Sequence, residues 1–208
     1  LQNWWTEQTS FSLDPKIMGL RDDQRYIVEW ALRQPTPYLL VNAPTGIGKT
    51  LAGGTYAASL GKSWTYAVST KALQDQVSRD LGIPTLKGRD NFACLVGQAT
   101  HGFDITASRG KCVFGESCTH DKSATVRMCD YYQQKGAALD NMGRVTNYAM
   151  ALSMPELLGY TSTYICDEAH RLEETVISSA SITLNRMLFM RYRVKLPYLG
   201  ENPTAWSQ

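Results

Sequence analysis

One eight-residue segment constrains the fold of this chain more than any other, because it places a glycine-containing loop between an apolar run and a helical stretch. The apolar run occupies residues 38–41, and the helical pattern follows at residues 50–60. A short apolar run before such a loop is typical of a buried strand in a parallel sheet. The segment therefore predicts a strand–loop–helix unit of an α/β fold.

The same alternation of strands and helices recurs along the chain. We predict helices at 22–33, 71–81, 148–154 and 169–178, and strands at 64–69, 144–146 and 163–166. Between residues 87 and 135 the periodicity is lost, and Gly, Ser, Thr and Cys are frequent. We therefore expect one α/β domain with a parallel sheet at 1–86 and 136–181, an inserted domain at 87–135, and a separate stretch at 182–208.

Composition restricts the class of protein. Of the 208 residues, 43% are hydrophobic and 19% are charged, which is typical of a globular chain. The net charge of +2 means that a polyanion must be bound by local patches. No stretch approaches the ~20 apolar residues of a membrane span, and residues 1–12 lack a signal-peptide pattern. We therefore expect a cytoplasmic protein without a membrane partner, whose five cysteines are thiols or metal ligands.

The glycine-containing loop has the residue types that bind the phosphates of a nucleotide. Its residues are Ala43, Pro44, Thr45, Gly46, Ile47, Gly48, Lys49 and Thr50. The two glycines let the backbone direct N–H groups at phosphate oxygens. Lys49 would neutralise β- and γ-phosphate charge, and the Thr50 hydroxyl would ligate Mg²⁺. The loop departs from the usual pattern only at Ala43, where that pattern has Gly, and the alternative is an ordinary turn between a strand and a helix.

Two adjacent carboxylates follow the last predicted strand. Asp167 and Glu168 stand where a parallel sheet has its ligand crevice. Asp167 would hold Mg²⁺, and Glu168 would orient and deprotonate an attacking water molecule. The alternative is that both carboxylates only complement the dipole of the helix that follows.

These motifs resemble those of a known family. Residues 167–170, Asp-Glu-Ala-His, are similar to the DEAH signature of superfamily 2 helicases. Together with the loop they resemble the XPD and DinG group of iron–sulfur DNA helicases. Residues 69–76, 87–94 and 145–149 are similar to further motifs of that group in the same order, so the resemblance spans about residues 21–174.

The resemblance implies a RecA-like fold and a role for several residues. Arg21 and Gln24 match an R-x-x-Q element whose glutamine reads adenine. Thr70 and Gln74 lie in a segment that touches the DNA backbone, and His170 would couple ATP hydrolysis to movement. The implied activity is an ATP-dependent, Mg²⁺-dependent motor that moves 5′ to 3′ on single-stranded DNA and unwinds forked DNA. In a bacterium it would associate with the nucleoid.

Four cysteines fall within the predicted insertion. They are Cys94, Cys112, Cys118 and Cys129. Four thiolates can hold a [4Fe–4S] cluster, but their spacing does not identify one, and it is the resemblance that implies this cofactor. Zinc, with His101 or His120 in place of one thiolate, and cysteines without a metal are the alternatives. Cys166 lies in a predicted strand and is expected to be a small buried residue.

Basic and aromatic residues near the cysteines are candidates for contact with single-stranded DNA. They are Arg109, Lys111, Tyr131 and Tyr132. Basic groups follow phosphates and aromatic rings stack on bases. The alternatives are ordinary solvated charge and, for the tyrosines, packing of the insertion onto the main domain.

The motor implied by the resemblance requires a second RecA-like domain; the 208 residues contain no motif of one, so we interpret the chain as a fragment or as part of a longer protein. Residues 182–208 are then the start of an arch-like insertion, and weak ATP binding and hydrolysis are expected of the chain alone. Two further interpretations stay open: a nucleotide- and DNA-binding redox sensor without helicase turnover, and a DEAH RNA helicase. The sequence does not identify protein partners.

Overall fold

A parallel four-stranded sheet lies at the centre of the protein. The structure is a computed structural model that describes residues 19–97, 105–114, 118–120 and 128–181. The strands are β1 (Trp64–Val68), β2 (Thr85–Leu86), β3 (Gly143–Asn147) and β4 (Thr163–Cys166), in the order β2-β3-β1-β4. Each neighbouring pair is parallel. The predicted α/β class with a parallel sheet is thus confirmed.

Seven α-helices that lie wholly within the described residues accompany the sheet. They are α1 (Asp22–Leu32), α2 (Lys49–Ser59), α3 (Lys71–Leu81), α4 (Asp130–Asp140), α5 (Tyr148–Ser153), α6 (Pro155–Tyr160) and α7 (Leu172–Ala180). Side chains fix two helix starts, since Thr70 caps α3 by accepting from the Leu73 amide and Asn147 caps α5 by accepting from Met150. None of the helices in these ranges has the length and apolar character that crossing a membrane requires.

The main apolar core forms where α2 and α3 pack on one face of the sheet. Its largest buried members are Trp64, Tyr66, Val68, Val77, Leu81 and Val145. Alanines on α2 allow that helix to approach the sheet closely, since Ala57 is fully buried. Burial of this apolar surface is the main force that holds α2 and α3 against β1 and β3. Since α2 begins at the glycine-containing loop, this packing also places the loop.

The strand register brings the ends of β1 and β4 to the same edge of the sheet. Trp64 pairs with Gly143 on one side and with Thr163 on the other. The ladder continues past β4, because the Asp167 amide donates to the Ala67 carbonyl at 3.0 Å. Residues that follow β1 and β4, Ser69 and Asp167 among them, therefore lie side by side at the carboxyl edge.

The predicted strand at residues 38–41 does not form. Tyr38 is 87% exposed and Leu40 is 85% exposed, and no strand is assigned there. An apolar run becomes a strand only where a neighbour pairs with its backbone groups, and the described sheet ends at β4 without pairing to this run. The prediction that Cys166 is buried is also wrong, because it ends the edge strand β4 and is exposed.

The described part of the predicted insertion has only short elements and a small core. Its 3₁₀ turns are Arg89–Asn91, Ala107–Arg109 and Lys111–Phe114. Ala93 and Thr106 form an isolated antiparallel bridge, and Ala107, Cys129 and Tyr131 are buried together. Helix α4 continues through the boundary predicted at residue 135. The predicted arch at 182–208 and His101 lie outside the described residues.

Candidate functional site

The glycine-containing loop has a backbone that requires its two glycines. Gly46 and Gly48 both have a φ of +81°, a conformation that other residues rarely adopt. Gly48 is the residue before α2, so the turn ends where the helix begins. The first-turn amides of α2 have no partner within the helix and are available to an anion.

Helix α1 fixes this loop from outside through two side chains. Arg21 Nη2 donates to the Gly46 carbonyl at 2.9 Å, and Gln24 Nε2 donates to the Ile47 carbonyl at 2.9 Å. Gln24 is buried, and its Oε1 accepts from the Arg21 amide at 2.9 Å. Because C=O and the following N–H point in opposite directions across a trans peptide, these bonds direct the amides of Ile47 and Gly48 away from α1.

The reading of adenine by Gln24, which the resemblance implies, stays a prediction. In the structure both ends of its amide are bonded within the protein. Gln24 therefore stabilises the glycine-containing loop, and contact with a base would require its amide to leave the Ile47 carbonyl. Arg21 shares this role through Gly46.

Lys49 and Thr50 stand at the start of α2. The Lys49 amino group donates to the carbonyls of Ala43 at 2.9 Å and Pro44 at 3.1 Å, so it lies across the mouth of the loop. The Thr50 side chain lies beside the hydroxyl of Tyr66. An ammonium group held only by two neutral carbonyls can exchange them for phosphate oxygens, which form stronger, charge-assisted bonds.

Asp167 follows β4 and is held by four contacts. Its Oδ1 accepts from the Glu168 amide at 3.0 Å, and its Oδ2 accepts from the Tyr66 hydroxyl at 3.4 Å. Its amide donates to Ala67, and its carbonyl accepts from the Tyr148 hydroxyl at 2.5 Å. The carboxylate thus has a fixed orientation at the edge where the loop helix α2 also starts.

Glu168 has a strained backbone and a restrained side chain. Its φ of 53° is the one positive φ of a non-glycine residue in the described ranges, and this costs about 1–2 kcal/mol. Ser69 Oγ donates to its Oε2 at 3.0 Å, and Arg171 Nε lies 3.4 Å from the same oxygen. Such strain persists where surrounding contacts determine the conformation, and it is concentrated at functional sites.

Two buried tyrosines provide hydroxyl groups to this edge. Burial raises the pKa of Tyr66 well above its usual value, and the nearby Asp167 raises it further. Burial also raises the pKa of Tyr148, followed by the effects of Cys166 and Asp167. Both hydroxyls therefore keep their protons and act as donors. The sequence indicates no role for either hydroxyl, although Tyr66, in a buried strand, needs a hydrogen-bond partner for its own.

The structure brings two pairs of cysteine segments together. A methyl group at Gly110 would lie 3.1 Å from the Sγ of Cys94 and 3.7 Å from the Sγ of Cys112, so the two sulfurs are separated by at most the sum of these distances. The Cys129 amide donates to the His120 carbonyl at 2.8 Å, which places the segment of Cys118 beside Cys129. All five cysteines are thiols, without a disulfide.

Arg89 links the cysteine segments to α4. Its Nη1 donates to the Cys112 sulfur at 3.1 Å, and its Nη2 donates to the Tyr132 hydroxyl at 3.3 Å. The guanidinium also lies over the rings of Tyr131 and Tyr132, at 4.4 Å and 5.4 Å from their centroids. The Gly97 amide donates to the Cys94 sulfur at 3.4 Å. Donors of this kind stabilise thiolates.

These thiols are not gathered to metal-binding distance. Over the described ranges, which include all four cysteines of the insertion, no three His, Cys, Asp or Glu side chains form a group that could hold a metal ion. The donor types and the paired placement suit a metal–thiolate group, but no three of the thiols lie close enough together to bind one metal ion. The structure therefore leaves the [4Fe–4S] cluster and the zinc alternative as proposals.

Among the predicted DNA contacts, Gln74 and Tyr131 have other roles. Gln74 is fully buried, and its Nε2 donates to the carbonyls of Leu86 at 2.9 Å and Val145 at 3.2 Å. Tyr131 is buried in the small core of the insertion. These contacts correct the expectation that both side chains face DNA. Thr70 caps α3, while Arg109 and Lys111 are exposed.

His170, the last of the predicted site residues, is next to Glu168, and a separate groove adjoins the loop. His170 is exposed in the 3₁₀ turn Ala169–Arg171, next to Glu168. A groove of about 380 Å³ runs between α1 and the residues that lead into the loop. It is lined by Asp23, Tyr26, Ile27, Trp30, Leu40, Val41, Asn42, Ala43, Pro44 and Ile47.

Comparisons with known proteins do not identify the function of this chain. No protein-family model matches the chain, and no curated protein matches it. Among solved structures, the chain is similar to the UvsW helicase from bacteriophage T4, with 16% identity and a TM-score of 0.47. The similar region covers 85% of this chain and 54% of that chain, so this chain spans about half of its length. A similarity at this level is too distant to carry an argument about function.

Proposed function

We propose that this chain is the ATP-binding half of an ATP-dependent DNA helicase of superfamily 2, of the XPD and DinG kind. One observation carries the proposal: the start of the loop helix and the acidic pair meet at one edge of a parallel sheet. The Tyr66 hydroxyl there donates to the Asp167 carboxylate and lies beside the Thr50 side chain, and the loop beside them has the two positive-φ glycines that phosphate binding requires.

In this proposal each residue of the site has one task. The amides of Ile47 and Gly48 and the first turn of α2 bind the phosphates, and Lys49 leaves the carbonyls of Ala43 and Pro44 for phosphate oxygens. Thr50 and Asp167 hold Mg²⁺, which neutralises charge on the β- and γ-phosphates.

Glu168 would orient the attacking water and accept its proton. Ser69 and Arg171 hold one oxygen of this carboxylate, so the other oxygen is the one that can meet water. His170, next to Glu168 and exposed, is placed to couple this step to movement.

The adenine base would enter the groove between α1 and the loop. The groove adjoins Pro44 and Ile47 of the loop, and the 70% exposed ring of Tyr26 lines it. An exposed aromatic ring provides a stacking surface for a base. Gln24 supports this site by holding the Ile47 carbonyl.

Single-stranded or forked DNA would be the track, followed in the 5′ to 3′ direction. Exposed Arg109 and Lys111, together with Thr70 at the carboxyl edge of β1, would contact its backbone. Partly buried Tyr132 is the aromatic candidate near them. Coupling of hydrolysis to unwinding requires a second RecA-like domain.

A [4Fe–4S] cluster held by Cys94, Cys112, Cys118 and Cys129 belongs to the same proposal. The support is the paired placement of the thiols and the donors from Arg89 and Gly97 to two of the sulfurs. About four irons and four acid-labile sulfides per chain after anaerobic purification, lost in Cys112→Ser, would support the cluster. Zinc without sulfide would contradict it and leave the ATP site standing.

The nucleotide site is tested by two substitutions. Lys49→Ala removes the one cation of the loop, so we expect it to lose binding of a fluorescent ATP analogue; unchanged affinity would remove the loop from the site. Glu168→Gln keeps the shape of the side chain and removes the base, so binding should persist. In a protein that includes the second motor domain, this variant should lose at least about 100-fold in hydrolysis rate.

A further inference from the structure

We propose that Tyr66 is a positioning residue, whose hydroxyl orients the Asp167 carboxylate for a Mg²⁺ ion that Thr50 also binds. The inference rests on the proposed function, and it adds a residue that belongs to none of the motifs in the sequence. Its basis is that one buried hydroxyl donates to the Asp167 carboxylate and lies beside the Thr50 side chain.

The position of the Tyr66 ring is fixed by the fold. Tyr66 is the middle residue of β1 and is 1% exposed. It pairs with Val145 of β3 and Ile165 of β4, so strands flank it on both sides. Helix α2 covers the ring at Gly53, where a methyl group would lie 3.6 Å from ring atom Cε2. The hydroxyl is thereby held in place between the start of α2 and the end of β4.

The hydrogen-bond directions favour a cation. A tyrosine hydroxyl has one proton to donate, and Tyr66 donates it to Asp167 Oδ2. The Thr50 side chain lies beside this hydroxyl, so its oxygen and the Asp167 carboxylate would face the same ion. The carboxylate of Asp167 has about four acceptor sites, of which the described contacts use one on each oxygen.

Without this hydroxyl, Oδ2 of Asp167 would lose its donor, and the carboxylate would no longer be held in one orientation beside Thr50. Groups that hydrogen-bond to metal ligands typically contribute 10–100-fold to metal affinity or activity. Removal of the oxygen of Tyr66 should therefore weaken the binding of Mg²⁺ with ATP, and it should affect ATP binding without Mg²⁺ much less.

Tyr66→Phe tests this inference, with Tyr148→Phe as the matched control. Both substitutions delete one oxygen from a buried ring that contacts Asp167, but Tyr148 donates to the main-chain carbonyl and not to the carboxylate. The measurement is the affinity of the purified chain for a fluorescent ATP analogue, with excess Mg²⁺ and with EDTA. Circular dichroism verifies that each variant is folded, which we expect because the ring remains.

The expected result is a change in the ratio of the two affinities. Tyr66→Phe should lower the gain that Mg²⁺ provides by at least about 10-fold, with the affinity in EDTA essentially unchanged. Tyr148→Phe should keep a ratio close to that of the wild type. Equal ratios in Tyr66→Phe and wild type would overturn the inference, as would an equal loss of affinity in both conditions or an equal effect of the two variants. A wild-type chain that binds no ATP in either condition would overturn the proposed function, and this inference with it.

Discussion

Gly48→Ala provides the sharpest test of how Arg21 and Gln24, at the start of α1, hold the glycine-containing loop. Gly46 and Gly48 share a φ of +81° but differ in their surroundings. A methyl group at Gly46 meets nothing within 4 Å, whereas one at Gly48 would overlap Nε2 of Gln24 and lie 3.2 Å from Arg21 Nη2. The pair thus separates the cost of backbone conformation from the cost of displacing Gln24.

The magnitudes follow from these contacts. Either alanine in the left-handed conformation costs about 1–2 kcal/mol, partly offset by about 0.4–1 kcal/mol from a less flexible unfolded chain. Gly48→Ala additionally displaces Gln24, which loses its bonds to Ile47 and to the Arg21 amide. At about 0.5–1.5 kcal/mol for each bond, the additional loss is about 1–3 kcal/mol.

Urea denaturation followed by circular dichroism measures both variants. Gly48→Ala should have a free energy of unfolding lower than that of Gly46→Ala by this additional amount. In a Gln24→Ala background the difference between the two should largely disappear, because the overlapping amide is gone. Equal destabilisation by the two alanines, or a difference that persists without Gln24, would refute the argument that Gln24 braces the loop.

Two further predictions concern packing. Gly54→Ala should destabilise the fold by about 1–3 kcal/mol, because its methyl would lie 2.8 Å from Cδ1 of the buried Leu81. Gly136→Ala in α4, where the added methyl meets nothing within 4 Å, should instead stabilise the fold by about 0.5–1 kcal/mol. Urea denaturation measures both, and a change of the unfolding free energy in the same direction for the two variants would contradict the geometry. Gln74→Leu should lower the free energy of unfolding by about 0.5–1.5 kcal/mol, since the Leu86 and Val145 carbonyls each lose one donor while Thr146 still donates to Leu86. It should leave the affinity for a single-stranded oligonucleotide unchanged; a large fall in affinity with unaltered stability would return Gln74 to the DNA interface.

Three of the four strands could be predicted because they are signalled locally. β1, β4 and the centre of β3 contain apolar or β-branched residues, and stretches with helical spacing separate them. The strand β2 has two residues, which is too short for a pattern to predict it. The run at 38–41 carries the same signal but lacks a paired neighbour in the described structure. A local pattern records the preference of a segment, whereas the partner that makes it a strand comes from elsewhere in the chain.

The site could be predicted only as far as motifs extend. The glycines, Lys49, Thr50 and the acidic pair follow from residue type and order. The burial of Gln74 could also have been inferred, since it lies on the same face of α3 as Val77 and Leu81. The role of Tyr66 could not, because it depends on strand register and on the approach of α2 at Gly53.

The position of β1 in the sheet has a consequence for how the protein acquires its structure. This strand is central, yet its partners β3 and β4 are synthesised long after it, as the pairing of Trp64 with Gly143 and Thr163 shows. Contacts between residues so distant in sequence slow folding. During synthesis, the apolar strand β1 and the loop before it must wait until the cysteine-containing segment has emerged and β4 has joined. Over that interval the nascent chain exposes the apolar surface that later becomes its core, and such surface promotes aggregation.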